Sequence, residues 1–398
     1  MNKEWQERFT TSAEKVPDAH VDEAGNIGFG SNSPGVMSIG SAADNPLPVL
    51  VELSRLVVID IQGEDAEAIA AEAAVVAKTG IGMAPVSAAD FLQDQVCNDL
   101  TAMGKDQAQI NGHCTPKGRL LSLFTVFAHK DGFLLVLPDD VAPAFIKRLQ
   151  MFVFRAKLTI THRTDLVCTG LVLDGTAQQQ SKLLPEAFPV FPEQTLGLSS
   201  NDEVHILRWH DDTGHHHNNN DAQSVRTRYL CIGPPDLLYP LWQGDQFSHA
   251  AWPYWRSGDI NAGIPNVFST STEQFIPLML NMQLINALSF KKGCYPGQEI
   301  VARMYYLGKL KKHMKHLYQP GATLAPEPGS VLTTENNNNA GQVVDAVVDE
   351  HGVNVLAVVN INTPVSDLQL AGQGLQEAAL PYSLLPVVDK VADTANDE

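Results

Sequence analysis

The sequence predicts an α+β fold that ends in a small antiparallel β-barrel, on three observations. A βα start is followed by a ββα run, the order that layers helices on an antiparallel sheet. Neither GxGxxG nor a P-loop occurs, so the doubly wound nucleotide-binding folds lack their fingerprint. Residues 316–385 break into short β-rich runs, GQVVDAVVDE and VNVLAVVNIN among them, split by Gly and Asn.

The elements follow in chain order. Residues 1–45 are rich in Gly, Ser, Asn and Asp, which predicts a mobile leader. LSRLVVIDIQGEDAEA (53–68) reads as a strand, a glycine turn and a helix opened by acids. AEAIAAEAAVVAK (66–78) is helix-favouring. TGIGMAPVSAAD (79–90) is a loop in which Ser87 or Asp90 caps the next helix, DFLQDQVCNDL. GRLLSLFTVFAHKDGFLLVLP (118–138) reads as two strands joined at His129–Gly132, and APAFIKRLQMFVFRAKLTI (142–160) as a helix running into a strand. These elements give an α+β body over 46–315, with a further split into two subdomains near 165 and an exposed loop at 211–221. The barrel follows over 316–385 and an acidic tail over 386–398. The tracts DDTGHHHNNND and ENNNN have no means of burying surface and are expected as loops. His215, His216 and His217 lack a second anchoring cluster, so no metal site is assigned to them.

Composition narrows the function. The 398 residues are 44% hydrophobic and 18% charged, ordinary for a globular chain. No apolar run approaches the roughly 20 residues that span a bilayer, and the start lacks a signal-peptide core; no membrane contact and a cytoplasmic location are expected. Five cysteines, with no CxxC, indicate neither a disulfide framework nor structural zinc. The net charge of −18 repels a phosphate backbone, so no direct nucleic-acid partner is expected.

The chemistry concentrates in SFKKGCYPGQEIVARMYYLGKLKKHM, residues 289–314. Lys291 and Lys292 precede Cys294, and a helix is expected from Pro296 through Met304. Cationic neighbours and a helix N-terminus both favour a thiolate, the form that attacks, is oxidised or ligates metal. One thiolate cannot hold a cluster alone, so a redox or transient-ligand role is the candidate for Cys294. The bland alternative is a small residue packed in a turn. Gly293 and Gly297 are expected to allow tight turns and close approach to a ligand. Tyr295 is either a ring that stacks on a ligand or a core aromatic. Gln298 and Glu299 either pair with a ligand's polar edge or, for Glu299, complement the helix dipole. Arg303, Lys309, Lys311, Lys312 and Lys315, with His313 and His316, form a basic strip: an anionic dock, a solvated face or a landing place for an acidic partner. EQFIPLMLNMQLINAL reads as core or as the wall of an apolar channel, and Trp242, Trp252 and Trp255 as a core cluster or a lid. Cys97, His113 and Cys114 show no metal spacing and are taken as core.

The run F-K-K-G-C-Y-x-G-Q-E-x-V-A-R, Phe290 to Arg303, resembles the signature of the YgfZ-type folate-binding proteins, relatives of the glycine-cleavage T-protein (aminomethyltransferase). The resemblance continues through 258–290, FLQDQVCNDL, NGHCTPKGRLLSLFTVF, FVFRAKLTI and PYSL, so that it spans about residues 46 to 385. It implies a folate-binding T-protein-like body of ferredoxin-like units around a central channel, followed by a C-terminal antiparallel β-barrel. It also implies tetrahydrofolate or a derivative as cofactor, a transient iron–sulfur cluster, and iron–sulfur client enzymes such as tRNA methylthiotransferases as partners. The function implied is support of iron–sulfur assembly or repair and, through it, tRNA modification. Lys292, Gly293, Tyr295, Gly297, Gln298, Glu299 and Arg303 are the implied cofactor-binding residues. One departure stands out: where the T-protein carries an Asp-Asp pair, this chain has Ser122 and Leu123, and a serine supplies no base near neutral pH. A folate-dependent one-carbon transferase is therefore the rival reading, and a ligand-free scaffold for iron–sulfur clients the third.

Overall fold

The computed structural model describes residues 48–64, 74–79, 86–153, 156–174, 183–214, 225–243, 246–308, 310–336 and 338–384, with two short paired strands, Ala19–Val21 and Ile27–Phe29. The rest of the leader, most of the 66–78 segment, the His215–His217 tract, Lys309 and the acidic tail lie outside the described residues.

A five-stranded antiparallel sheet runs in the order Ala108–Cys114, Leu120–His129, Gly132–Pro138, Leu56–Gly63, Leu158–His162. The middle strands are apolar along their length because both faces are covered. Val57, Ile59 and Ile61 point to one side with Phe124, Val126 and Leu135, while Val58, Leu123, Phe127 and Leu134 point to the other. The first side is covered by α1 (Ala88–Gln95) and α2 (Ala142–Gln150), through Phe91, Leu92, Phe145 and Leu149. Ser87 caps α1, its hydroxyl accepting from Asp90 N at 3.1 Å.

A six-stranded sheet runs Leu198–Ser200, His205–Arg208, Arg226–Gly233, Val167–Asp174, Val49–Glu52, Ser248–Ala250, parallel only in its last pair. Its outer face packs against α3 (Pro235–Gln243) through Tyr229, Cys231, Leu238 and Trp242. Its inner face, with Val51, Cys168, Val172 and Leu230, joins the inner face of the first sheet in one central core. That core is completed by Trp255 and Ile260 of α4 (Trp252–Asn261) and by residues 275–288. The last segment is apolar but not α-helical. It folds as the 3₁₀ turn Pro277–Leu280 and further turns, with Asn281 and Asn286 at φ of 58° and 56°.

After α5 (Gln298–Tyr306) the chain enters a seven-stranded antiparallel sheet that curls as a half-barrel. Its edge strands, Gln373–Gly374 and Gln376–Ala378, are separated in sequence by Leu375 alone. The opening strand starts at Lys312. Arg256 of α4 ties this sheet to the body: its guanidinium donates to the buried carboxylate of Asp345 and to Ala346 O at 3.1 Å.

Candidate functional site

Two places gather the chemistry: the signature loop before α5 and a cleft between the two body sheets.

The loop is built from long-range contacts. Lys292, half-buried, sends its ammonium to the C-terminal end of α1, donating to Gln93 O and to Val96 O at 2.5 Å. It also lies 5.3 Å from the Tyr295 ring centroid. A cation at a helix C-terminus satisfies orphan carbonyls and complements the dipole. Burial draws the Lys292 pKa down to about 8, which leaves it mainly protonated at neutral pH. Its charge is thus spent on α1, a correction to the expectation that it serves the thiol. Tyr295 is a core aromatic, and burial pushes its hydroxyl well above the usual range. Gly297 has φ 85° and a Cβ there would stand 2.6 Å from Gly118 Cα, so the signature packs backbone to backbone against the 115–119 turn. Gly297 is the N-cap of α5, so Pro296 lies outside the helix, which runs on to Tyr306 rather than ending at Met304. Gly293 meets nothing within 4 Å and has no positive φ; the tight turn belongs to Gly297 alone.

Cys294 is exposed, whereas Cys97, Cys114, Cys168 and Cys231 are all buried. Burial pushes the Cys231 thiol up to about 12. The loop therefore presents a single thiol to solvent. Gln298 is half-buried; Glu299 and Arg303 are exposed on α5. The basic strip is divided by strand alternation: Met314 and His316 point inward, and His316 contacts Ala379 O and Asn354 Oδ1. Lys315 pairs with Glu377 at 2.8 Å.

The cleft lies between the body sheets. Leu56, Leu123 and Val136 wall one side, Trp209 and Leu230 the other, and Trp252, Trp255 and Asp259 of α4 close it. None of the signature residues lines it. Of the three tryptophans, Trp242 sits in the outer core, while Trp252 and Trp255 both line the cleft, with Trp255 also a member of the central core.

Asp259 is the one carboxylate in that lining. Trp209 Nε1 donates to its Oδ1 at 2.7 Å, and Arg228 Nη2 approaches the same oxygen at 3.0 Å. Among the described residues, Oδ2 has no hydrogen-bond donor. Burial raises the Asp259 pKa, against the opposing pull of Arg228 and Trp209. Arg228 is itself buried, donating to His210 O at 2.8 Å and to Trp255 O at 3.0 Å. Glycines make room for this group. A Cβ at Gly258 would stand 2.7 Å from Arg228 Nη1, and one at Gly170 would stand 2.6 Å from the Trp255 ring.

Of the two positions where the resemblance places carboxylates, Leu123 is on the cleft wall. Ser122 faces the helical layer, opposite His113. The cleft's carboxylate comes instead from α4. Sequence reading passed over Asp259, Arg228 and Trp209; a lone acid inside the apolar run 258–268 was the available signal. No group of three metal-ligating side chains occurs among the described residues. Nor does any described helix have the length and hydropathy to cross a membrane.

No family model matches the chain. It is 29% identical over 316 residues to the tRNA-modifying protein YgfZ of Enterobacter sp. (strain 638), an alignment covering 76% of this chain and 91% of that protein. With the YgfZ of Pectobacterium carotovorum subsp. carotovorum (strain PC1) identity is 31% over 275 residues, 68% of this chain and 78% of that one. In structure it resembles the glycine cleavage system aminomethyltransferase T from Bartonella henselae, with a TM-score of 0.62 at 14% identity over 94% of this chain and 96% of that one. That likeness is one of fold: a T-protein-like α+β body with a curled C-terminal sheet.

Proposed function

The chain belongs to the YgfZ family of tRNA-modifying proteins, and from that premise we propose that it binds tetrahydrofolate in the cleft between its body sheets and supports iron–sulfur enzymes that modify tRNA. The observation that carries the folate reading is the Oδ2 of Asp259, without a donor among the described residues, in a cleft walled by Leu, Val and Trp side chains. Ligand sites are mostly apolar with a few placed polar groups. A reduced pterin is a flat ring with an edge of N–H donors. The tryptophan and aliphatic walls suit its faces, and a carboxylate oxygen suits its edge. When bound, tetrahydrofolate supplies a carrier for one-carbon units. The protein's own part is to offset the cost of burying the Asp259 carboxylate through Arg228, to orient it through Trp209, and to keep water from the apolar walls.

Leu123 weighs against the transferase reading, because it puts an alkyl group on the wall where a catalytic carboxylate would be needed. A resident cluster does not fit either. It needs about four protein ligands, and one exposed cysteine stands without companions. Cys294 is thus assigned a transient or redox contact with a client's iron–sulfur site.

The test is calorimetric titration of tetrahydrofolate into wild type, Leu56→Trp and Asp259→Asn. Wild type should bind, Leu56→Trp should abolish binding by filling the cleft from its wall, and Asp259→Asn should weaken it at least tenfold. Binding unchanged by both variants would move the folate site elsewhere.

A further inference from the structure

Large apolar side chains gather on the surface of α5 and its end: Ile300 is 40% exposed, Tyr305 39%, Tyr306 59% and Leu307 80%. Phe290 closes the patch from the other end of the signature loop. Its ring stacks on Tyr305 at a centroid distance of 4.0 Å, and Tyr306 meets Tyr305 edge-on at 5.0 Å. Isolated apolar side chains on a surface need no explanation, whereas a contiguous cluster marks a contact.

The charge around this cluster has the opposite sign to the molecule. The chain carries −18 overall, yet between Phe290 and Lys311 the only acid is Glu299. Lys291, Arg303 and Lys311 are exposed and make no ion pair with a described residue. A ring cluster of Phe290, Tyr305 and Tyr306 on a helix that also exposes Arg303 has the Tyr-and-Arg composition of a protein-docking hot spot.

We propose that this face docks a protein partner whose contact surface is apolar and flanked by carboxylates. Resting on the function proposed above, that partner is the iron–sulfur enzyme the protein serves. RNA fits less well. Ile300 and Leu307 have no ring face for a base, Phe290 and Tyr305 already stack on each other, and the net charge opposes a phosphate backbone. A second copy also fits less well, because an isologous contact would bring the like-charged Lys291, Arg303 and Lys311 of two copies towards one another. Cys294 lies in the loop joining Phe290 and Lys291 to α5, so docking here brings the exposed thiol to the partner's edge.

The test uses the full chain, wild type against Tyr306→Ser/Leu307→Ser and against Arg303→Glu. Each is measured by interferometry on an immobilised iron–sulfur tRNA methylthiotransferase at low and high salt. Unmodified tRNA is the second probe, sedimentation velocity reports self-association, and circular dichroism checks the fold. The expected result is binding by wild type, at least tenfold weaker binding by the double variant, and a weaker, flatter salt dependence for Arg303→Glu. The proposal is overturned if folded variants bind as wild type does, or if wild type fails to bind the enzyme. It is also overturned if the double variant loses tRNA binding or a dimer instead. Tetrahydrofolate titration of the same preparations separates the two readings. Docking without folate binding leaves this surface standing and removes the folate reading; folate binding without docking does the reverse.

Discussion

Gly297 and Gly118 meet backbone to backbone. A Cβ on Gly297 would stand 2.6 Å from both the N and the Cα of Gly118, and a Cβ on Gly118 would stand 3.3 Å from Gly297 O. The signature loop and the 115–119 turn can approach this closely only because neither residue has a side chain. Gly297→Ala would add a backbone clash to a left-handed φ of 85°. The left-handed conformation costs roughly 1–2 kcal/mol and overpacking a further 1–3 kcal/mol or so. Urea unfolding should therefore show a loss of about 3 kcal/mol. Gly293→Ala, with open space around it, should stay within about 0.5 kcal/mol of wild type.

Lys292 and α1 supply the second prediction. The ammonium donates to two carbonyls at the end of α1, and hydrogen bonds from charged groups contribute about 1.5–3 kcal/mol. Lys292→Met keeps the alkyl packing and removes the donors. Burial of the ammonium, seen in its lowered pKa, offsets part of this in overall stability, so the readout is local: the variant should speed amide exchange across residues 88–97. Unchanged exchange there would remove the capping role.

The strand pair Leu120–His129 and Gly132–Pro138 was legible because its signal is local: continuous apolar runs around a Lys-Asp turn, closing at His129↔Gly132. The cap was legible to within two residues, Ser87 or Asp90, for the same reason, and it is Ser87. The destination of Lys292 was not, since Gln93 lies 199 residues away and nothing in the local pattern points there. The start of α5 was misplaced because Pro296 reads as a first-turn residue, while the left-handed Gly297 after it sets the cap. Asp259 escaped notice because its partners, Trp209 and Arg228, come from other elements and meet it only in the folded core.

Cys294 should be the one thiol that reacts in the native protein. Native mass spectrometry after brief iodoacetamide treatment should show a single adduct at Cys294, rising to five on unfolding. Cys294→Ser should change stability by less than about 0.5 kcal/mol and leave tetrahydrofolate binding intact. It should still fail to restore tRNA methylthiolation in cells lacking the protein. Full restoration by this variant would reduce the thiol to a surface residue.

His113 gives the chain an acid-sensitive core. Its ring is 1% exposed, neither nitrogen has a partner among the described residues, and it meets Phe145 edge-on at 5.7 Å. Burial, helped by nearby Arg148, lowers its pKa to about 4 from an ordinary value of 6.5. A proton therefore binds the unfolded chain before it binds the folded one. The contribution of the neutral ring is complete above pH 6.5 and is lost progressively as pH falls to about 4. At roughly 1.4 kcal/mol for each pH unit the loss reaches about 3 kcal/mol. His205 and His210 are lowered to about 4 as well, mainly by burial, and deepen the same slope. His113→Leu removes one titration and two unpaired buried nitrogens. It should match wild type within about 1 kcal/mol at pH 7, because apolar replacement of an unpaired polar group is nearly neutral. By pH 4.5 it should be the more stable protein by about 2–3 kcal/mol. Parallel stability curves for the two proteins between pH 7 and 4.5 would show that the ring is protonated as readily in the folded state as in the unfolded chain.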